Sequence, residues 1–266
     1  MLKQVGKVRI MGILNVTPDS FSDGGKYFDA DIAAQKALQM IRDGADIVDV
    51  GGESTGPNSS PVTEEEELRR VIPVIEKIKK VAAKKMPIVS IDTYKSEVAR
   101  QAIEVGASIV NDVTALRGDS KMASLVAKTG VKVVLMYSKD SSPRTTREAK
   151  QYKDVVKTVV DFLNERIDFA LKSGIKKSQI IIDPGMGAFV SSEPKYSLEI
   201  LRRLREIKKL GFPILVGTSR KSLLPGTVEH RDAPTFIANL VAVKNGADIL
   251  RVHEVSQYFM VCAGKC

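Results

Sequence analysis

Residues 44–52 read Gly44-Ala45-Asp46-Ile47-Val48-Asp49-Val50-Gly51-Gly52: a glycine, a short β-branched run with a carboxylate inside it, and a glycine pair. The start of that run returns twice, as Gly106-Ala107-Ser108-Ile109 and Gly246-Ala247-Asp248-Ile249. A glycine just ahead of an apolar run suits the left-handed turn that ends a helix before the chain re-enters a sheet. Each copy therefore marks a junction between a helix and a strand. Outward from these junctions, short β-rich runs alternate with long amphipathic stretches along the chain, the pattern of parallel βαβ units.

The strand candidates are Arg9–Val16, Asp46–Gly52, Ile88–Asp92, Ile109–Asp112, Lys132–Tyr137, Gln179–Asp183, Pro213–Thr218 and Ile249–Val255. Helix candidates are Ile32–Asp43, Glu64–Lys84, Lys95–Glu104, Ser120–Thr129, Gln151–Ser173, Glu193–Leu210 and Ala233–Asn245, with a short last helix from near Ser256. Eight parallel units close into a (β/α)8 TIM barrel, whereas an open doubly wound sheet, the other arrangement this alternation allows, more often holds about five or six. The expectation is an α/β protein, a parallel-stranded barrel forming a single domain over residues 1–266.

Composition narrows the function classes. With 43% hydrophobic and 27% charged residues the chain reads as an ordinary globular protein, and no apolar run approaches the roughly 18 residues of a membrane span. The segment from Met1 to Val8 lacks the apolar core of a secretory signal, so a cytoplasmic protein with no membrane partner is expected. The net charge of +9 could serve nucleic acid or an anionic substrate, but many lysines, such as Lys77, Lys79, Lys80, Lys84 and Lys85, lie on one helical stretch as a solvated face. With aromatics at 5% there is no base-stacking platform, and no nucleic-acid partner is expected. Cys262 and Cys266 sit in the last five residues, with His230 and His253 the only histidines of the chain, so the three or four clustered N/S ligands of a zinc site are not expected there and the segment reads as a reduced tail.

In a barrel the C-terminal strand ends converge on one mouth, and function is read there. Asn15 closes the first strand, with Thr17-Pro18-Asp19-Ser20 following; Asp49 precedes Glu53-Ser54-Thr55; Asp92, Asn111-Asp112 and Asp183-Pro184-Gly185 close later strands; Ser219-Arg220-Lys221-Ser222 follows the seventh, and Arg251 and His253 lie on the eighth. Asp92, Asn111 and Asp183 together offer acceptors and an amide that match the edge of a flat nitrogen heterocycle. Arg251 and His253, two apart on a strand, share a face and can grip an anion. Asn15, with Asp19 and Asp23, offers oxygen ligands for Mg²⁺ on a pyrophosphate, and Lys221 can donate to a ring carbonyl or a carboxylate. Heterocycle, diphosphate and metal point to displacement of a pyrophosphate leaving group.

The run Met11-Gly-Ile-Leu-Asn-Val-Thr-Pro-Asp-Ser-Phe-Ser-Asp-Gly-Gly25 resembles the signature of the dihydropteroate synthase family of pterin-binding enzymes. Asp49-Val-Gly-Gly-Glu-Ser-Thr55, Ser90-Ile-Asp-Thr93, Asn111-Asp112, Asp183-Pro-Gly185, Gly217-Thr-Ser-Arg-Lys-Ser222 and Arg251-Val-His253 resemble its remaining motifs, in order, over nearly the whole chain. The resemblance implies a transferase that condenses 6-hydroxymethyl-7,8-dihydropterin pyrophosphate with p-aminobenzoate to 7,8-dihydropteroate, for folate biosynthesis. It implies a pterin slot of Asp92, Asn111, Asp183 and Lys221; a diphosphate grip of Asn15, Arg251 and His253; Mg²⁺ at Asn15; and Thr55 and Ser222 beside the p-aminobenzoate. Asp19, Asp92, Lys221 and Arg251 are the residues it implies for catalysis, with the loop of Asp19–Gly25 closing over the site.

Three places depart from the family pattern. Gly56 stands where an Arg is usual, Met136-Tyr137-Ser138 replaces a Met-His-Met segment, and Gly187-Ala188-Phe189-Val190 replaces Gly-Phe-Gly-Lys. Gly56 and Ala188 predict weakened p-aminobenzoate use and reduced sulfonamide sensitivity, unless Phe189 takes the place of the missing ring. Two other readings compete with the synthase: a methyltetrahydrofolate-dependent methyltransferase with a similar pterin-binding barrel, and a pterin-binding paralogue with altered acceptor. The methyltransferase has no need of a pyrophosphate grip, so Asn15 with the Thr17–Gly25 loop, and Arg251 with His253, favour the synthase over it. The chain stops eleven residues after strand eight, which with family precedent leads us to expect a homodimer that covers apolar surface there.

Overall fold

A computed structural model of the chain describes residues 8–17, 30–81, 87–227 and 230–258. Asp19, Asp23, Lys84, Lys85, Cys262 and Cys266 lie outside the described residues. The strands are β1 (Arg9–Asn15), β2 (Ile47–Gly51), β3 (Ile88–Asp92), β4 (Ile109–Asp112), β5 (Lys132–Met136), β6 (Ile180–Asp183), β7 (Leu215–Val216) and β8 (Ile249–Val252). They pair in parallel in the order β6-β5-β4-β3-β2-β1-β8-β7. One bridge, Ile182 to Ile214, together with Ile182 N–H donating to Pro213 O at 3.0 Å, closes the sheet into a barrel.

The helices are α1 (Ala30–Arg42), α2 (Glu64–Val81), α3 (Ser96–Glu104), α4 (Met122–Thr129), α5 (Val155–Lys172), α6 (Pro194–Arg202), α7 (Leu204–Lys208) and α8 (Asp232–Lys244), and Ser256–Tyr258 forms a 3₁₀ turn after β8. The repeated glycine junctions work as their sequence implies. Gly44, Gly106 and Gly246 have φ of 105°, 115° and 108°. The next residue of each reaches back five positions, Ala45 to Met40 O, Ala107 to Ala102 O and Ala247 to Ala242 O, at 2.8–3.0 Å. Two of the junction aspartates then brace the neighbouring strand: Asp46 Oδ2 accepts from Ile10 N–H at 2.9 Å, and Asp248 Oδ2 from Ile214 N–H at 2.7 Å.

Several boundaries differ from the sequence expectation for local reasons. α5 begins at Val155 and not at Gln151, because Asp154 caps it by accepting from Lys157 N–H at 2.9 Å. The long helix expected over 193–210 breaks at Arg203, whose guanidinium gathers Glu199, Glu206 and Asp154. β7 is short, since Pro213 has no N–H to pair. β8 ends at Val252, so His253 lies beyond the strand and the shared-face argument does not extend to it.

Strand alternation sorts the core into two shells. Met11, Ile47, Ile109, Val134, Ile181, Leu215 and Ile249 form an apolar plug inside the barrel. The alternate residues, such as Val48, Val50, Val110, Leu135, Ile182 and Leu250, belong to the larger core with the helices. Two residues further along, the inward positions become Asp49, Ser90, Asn111, Asp183 and Arg251. The mouth is thus a polar layer on an apolar floor.

Candidate active site

Asp49 is fully buried, and its Oδ2 accepts from Asn111 Nδ2 at 2.9 Å and from Arg251 Nε at 2.7 Å. Arg251 Nη2 continues to Asp92 Oδ2 at 2.6 Å, so four side chains from β2, β3, β4 and β8 form one network. Asp49 Oδ1 and Ser90 Oγ in the same layer are buried without a hydrogen-bond partner among the described residues. Such groups are costly to leave bare, so a ligand with polar edges is favoured there. Burial pushes the Asp92 carboxyl up, against the pull of Arg251.

Across the mouth, Asp183 Oδ1 accepts from Gly185 N–H at 2.7 Å. Gly185 has φ of 69°, and a Cβ there would run into the Tyr137 carbonyl, so the Asp-Pro-Gly turn requires its glycine. Burial also raises the Asp183 carboxyl, opposed chiefly by the Lys221 cation. Burial lowers Lys221 to about 8, with Asp183 pulling the other way. Lys221 is delivered by a strained turn: Arg220 has φ of 56° and is clamped by Asp232 at 2.8 and 3.0 Å. Its Nζ also lies 5.2 Å from the Phe189 ring centre.

Beside Lys221 opens a second cavity of about 560 Å³, bordered by Gly56, Pro57, Phe189 and Ser222. Thr55 stands next to it and is tied down by its carbonyl, which accepts from Thr145 N–H at 3.1 Å. At the β8 side, His253 Nδ1 meets Ser219 Oγ at 2.9 Å, and burial with the nearby Arg251 and Arg220 cations lowers the imidazole to about 4. Asn15 is exposed at the end of β1. The structure therefore brings Asp92, Asn111 and Arg251 into one network, faces Asp183 with Lys221, and sets Asn15 and His253 apart on the β1 and β8 side. Asp19 lies outside the described residues.

Two polar residues of the strand-end motifs are structural. Asp112 takes Thr114 N–H and Oγ1 and Leu116 N–H at 2.7–2.8 Å, holding the turn after β4. Glu53 is buried beside Lys95, which also pairs with Glu67. Conversely, Asp49 lies at the centre of the network, and the sequence carries a signal for it. Ile47-Val-Asp49, Ile109-Val-Asn111, Ile181-Ile-Asp183 and Ile249-Leu-Arg251 repeat one inward pattern, an apolar plug residue followed two positions later by a polar mouth residue.

A parallel barrel with carboxylates, an amide, a lysine and an arginine over a buried floor defines an enzyme of small polar heterocycles. The chain belongs to the family described as pterin binding enzyme, whose model matches residues 11–253. It is 45% identical over 251 residues to a dihydropteroate synthase of Clostridium beijerinckii, covering 92% of this chain and 88% of that one. To the dihydropteroate synthase of Bacillus subtilis it is 42% identical over 255 residues, with 94% and 85% covered. Among solved structures it is similar to Xanthomonas albilineans dihydropteroate synthase with 4-aminobenzoic acid, with a TM-score of 0.87, 41% identity and 98% and 92% coverage. The same organism's enzyme in complex with 7,8-dihydropteroate gives a TM-score of 0.84 at 40% identity, covering 99% and 93%. The chain is an enzyme, a transferase of the dihydropteroate synthase kind.

Proposed function

We propose that the chain joins 6-hydroxymethyl-7,8-dihydropterin pyrophosphate to p-aminobenzoate, releasing pyrophosphate and 7,8-dihydropteroate in folate biosynthesis. The observation that carries this reading is Lys221, which faces Asp183 of the heterocycle slot and also borders the second cavity. One cation thereby stands at the seam of two binding sites, where a bond between two substrates would form.

In this reading Asp92, Asn111 and Asp183 hold the pterin edge and Lys221 donates to the ring. Departure of the diphosphate leaves a resonance-stabilised pterin cation, and the arylamine nitrogen attacks its methylene carbon and then releases one N–H proton to solvent. The buried carboxylates of Asp92 and Asp183 favour that cation, in a pocket where electrostatics are strengthened by the exclusion of water. Asn15, Arg251 and His253 hold the diphosphate. With its low pKa, His253 serves there as a neutral N–H donor and not as a charge. Mg²⁺ would supply charge neutralisation for the leaving group. The described residues hold no cluster of three acidic, His or Cys side chains. A single exposed carboxamide, Asn15, fits the habit of Mg²⁺ of keeping its waters and substrate phosphates and taking only one or two protein oxygens. Asp19 completes the catalytic set in this reading, and Thr55 and Ser222 flank the acceptor.

We further place the enzyme in the cytoplasm, as a homodimer. Ile237, Leu240 and Val241 are 40–63% exposed on one face of α8, with Leu198 of α6 also exposed, and an apolar face of this kind suits a second copy of the chain. Among the described residues no helix is long and apolar enough to cross a membrane.

Incubation with the pterin pyrophosphate, Mg²⁺ and p-aminobenzoate tests the reaction, and equimolar pyrophosphate and dihydropteroate are expected. Methyl transfer from methyltetrahydrofolate without pyrophosphate release would instead support the methyltransferase, and pterin binding with no condensation the altered paralogue.

A further inference from the structure

We propose that Arg147 recognises the carboxylate of the acceptor substrate, an inference that rests on the reaction read above. The second cavity has apolar walls at Pro57, Met186 and Phe189 and a basic lining of Arg147, Lys221 and Arg231, with no acidic side chain among the described lining residues. Such a space takes a flat molecule carrying an anionic group.

The three cations are not equivalent. Lys221 is half-buried and already feels the Asp183 carboxylate. The Arg231 guanidinium is taken up by two carbonyls, Nε donating to Gly226 O at 3.0 Å and Nη1 to Arg220 O at 3.1 Å. Arg147 is exposed and, among the described residues, has no hydrogen bond or ion pair. It is the lining cation left uncommitted. An arylamine that attacks the pterin methylene keeps its nitrogen near the Lys221 seam, so a carboxylate para to that nitrogen lies at the opposite end of the ring. Arg147 comes from a different loop, between β5 and α5, and its planar fork matches a carboxylate with two donors.

Arg147 is also carried on an anchored backbone. Thr145 N–H donates to Thr55 O at 3.1 Å, and Thr145 Oγ1 to Ala188 O at 2.9 Å, so one loop is tied to two cavity walls. Arg144 pairs with buried Glu53, and on the other side of Arg147 the Glu148 carbonyl accepts from Ser192 N–H at 3.2 Å. The facing wall is open, because a Cβ at Gly56 would meet only Ser54 Oγ, at 3.5 Å. The expectation of a weak acceptor site rests on Gly56 and Ala188 taken alone. On this proposal Phe189 and Arg147, lining the same cavity, offset Gly56 and Ala188, and ordinary acceptor affinity and sulfonamide sensitivity are expected.

The test compares p-aminobenzoate with the uncharged p-aminobenzamide in wild type, Arg147→Ala and Arg147→Lys. In Arg147→Ala the KM for p-aminobenzoate rises about tenfold or more, as loss of a charge-assisted pair predicts, while the KM values for the amide and for the pterin pyrophosphate stay within about twofold. Arg147→Lys recovers part of the loss. Unchanged p-aminobenzoate kinetics in Arg147→Ala, or an equal rise for both acceptors, would overturn the proposal while leaving the reaction standing. Should the wild type make no dihydropteroate, calorimetry of p-aminobenzoate with wild type and Arg147→Ala decides the residue separately: weaker binding to the variant upholds it, and equal binding overturns it.

Discussion

Lys221 joins the two halves of the mouth, and burial holds its ammonium at a pKa of about 8, so it is charged at neutral pH and loses its proton in mild alkali. If it donates to the pterin ring, kcat/KM falls as pH rises through about 8. Stability moves the other way: between the folded value and the ordinary 10.5 the unfolded chain binds the extra proton, so stability rises with pH across that window. Lys221→Arg, which stays charged, removes the alkaline limb from the pH profile even where the absolute rate is lower; a limb that persists near pH 8 in this variant means another group titrates. At this scale the sequence was informative where chemistry sits on an inward strand position, as with Asp92, Asn111, Asp183 and Arg251. It was less so where a role is fixed by contact. That Arg251 spans to Asp49 and Asp92, on strands about 160–200 residues away, has no local signal, and neither does the loss of charge on His253.

The loops between strands and helices carry the next level of organisation. The segment after β2 is held by Lys95, whose Nζ lies between the buried Glu53 and Glu67 carboxylates. Lys95 bonds Glu67 Oε2, and Glu67 Oε1 has no hydrogen-bond partner among the described residues, so Lys95→Met strands a buried charge and costs about 3–5 kcal/mol by the usual behaviour of broken buried pairs. Urea unfolding of Lys95→Met and of the double variant Lys95→Met/Glu67→Leu reads this directly. The double variant recovers most of the loss, and a single-variant loss below about 1 kcal/mol would show that water reaches the pair. Strands and helices were legible because periodicity and the Gly-Ala junctions are local features. The 138–154 loop carries no local signal for its shape, because what organises it is a set of bonds to Thr55, Ala188, Phe189 and Ser192, all distant in sequence. Helix breaks at Arg203 and the late start of α5 have the same origin, in side chains that meet partners across the surface.

On the scale of the whole molecule, the barrel separates stability from function by height: an apolar plug fills the lower layer, and the polar layer above it is free to vary its chemistry. The outer surface is where a second copy would act, and Ile237, the most exposed large apolar side chain among the described residues, tests it. Ile237→Glu should convert a dimer to a monomer in sedimentation velocity with the fold intact; a wild type that is already monomeric at micromolar concentration would contradict the dimer. The central claim concerns the polar layer itself, that Asp92, Asn111 and Asp183 form the slot for a pterin ring. Removing a partner from a desolvated polar site costs about 1–3 kcal/mol, or roughly five- to more than a hundredfold in affinity. Calorimetric titration of 6-hydroxymethyl-7,8-dihydropterin pyrophosphate into wild type, Asp92→Ala, Asn111→Ala and Asp183→Ala should show that each variant binds more weakly by that order, and unchanged affinity in all three would contradict the account.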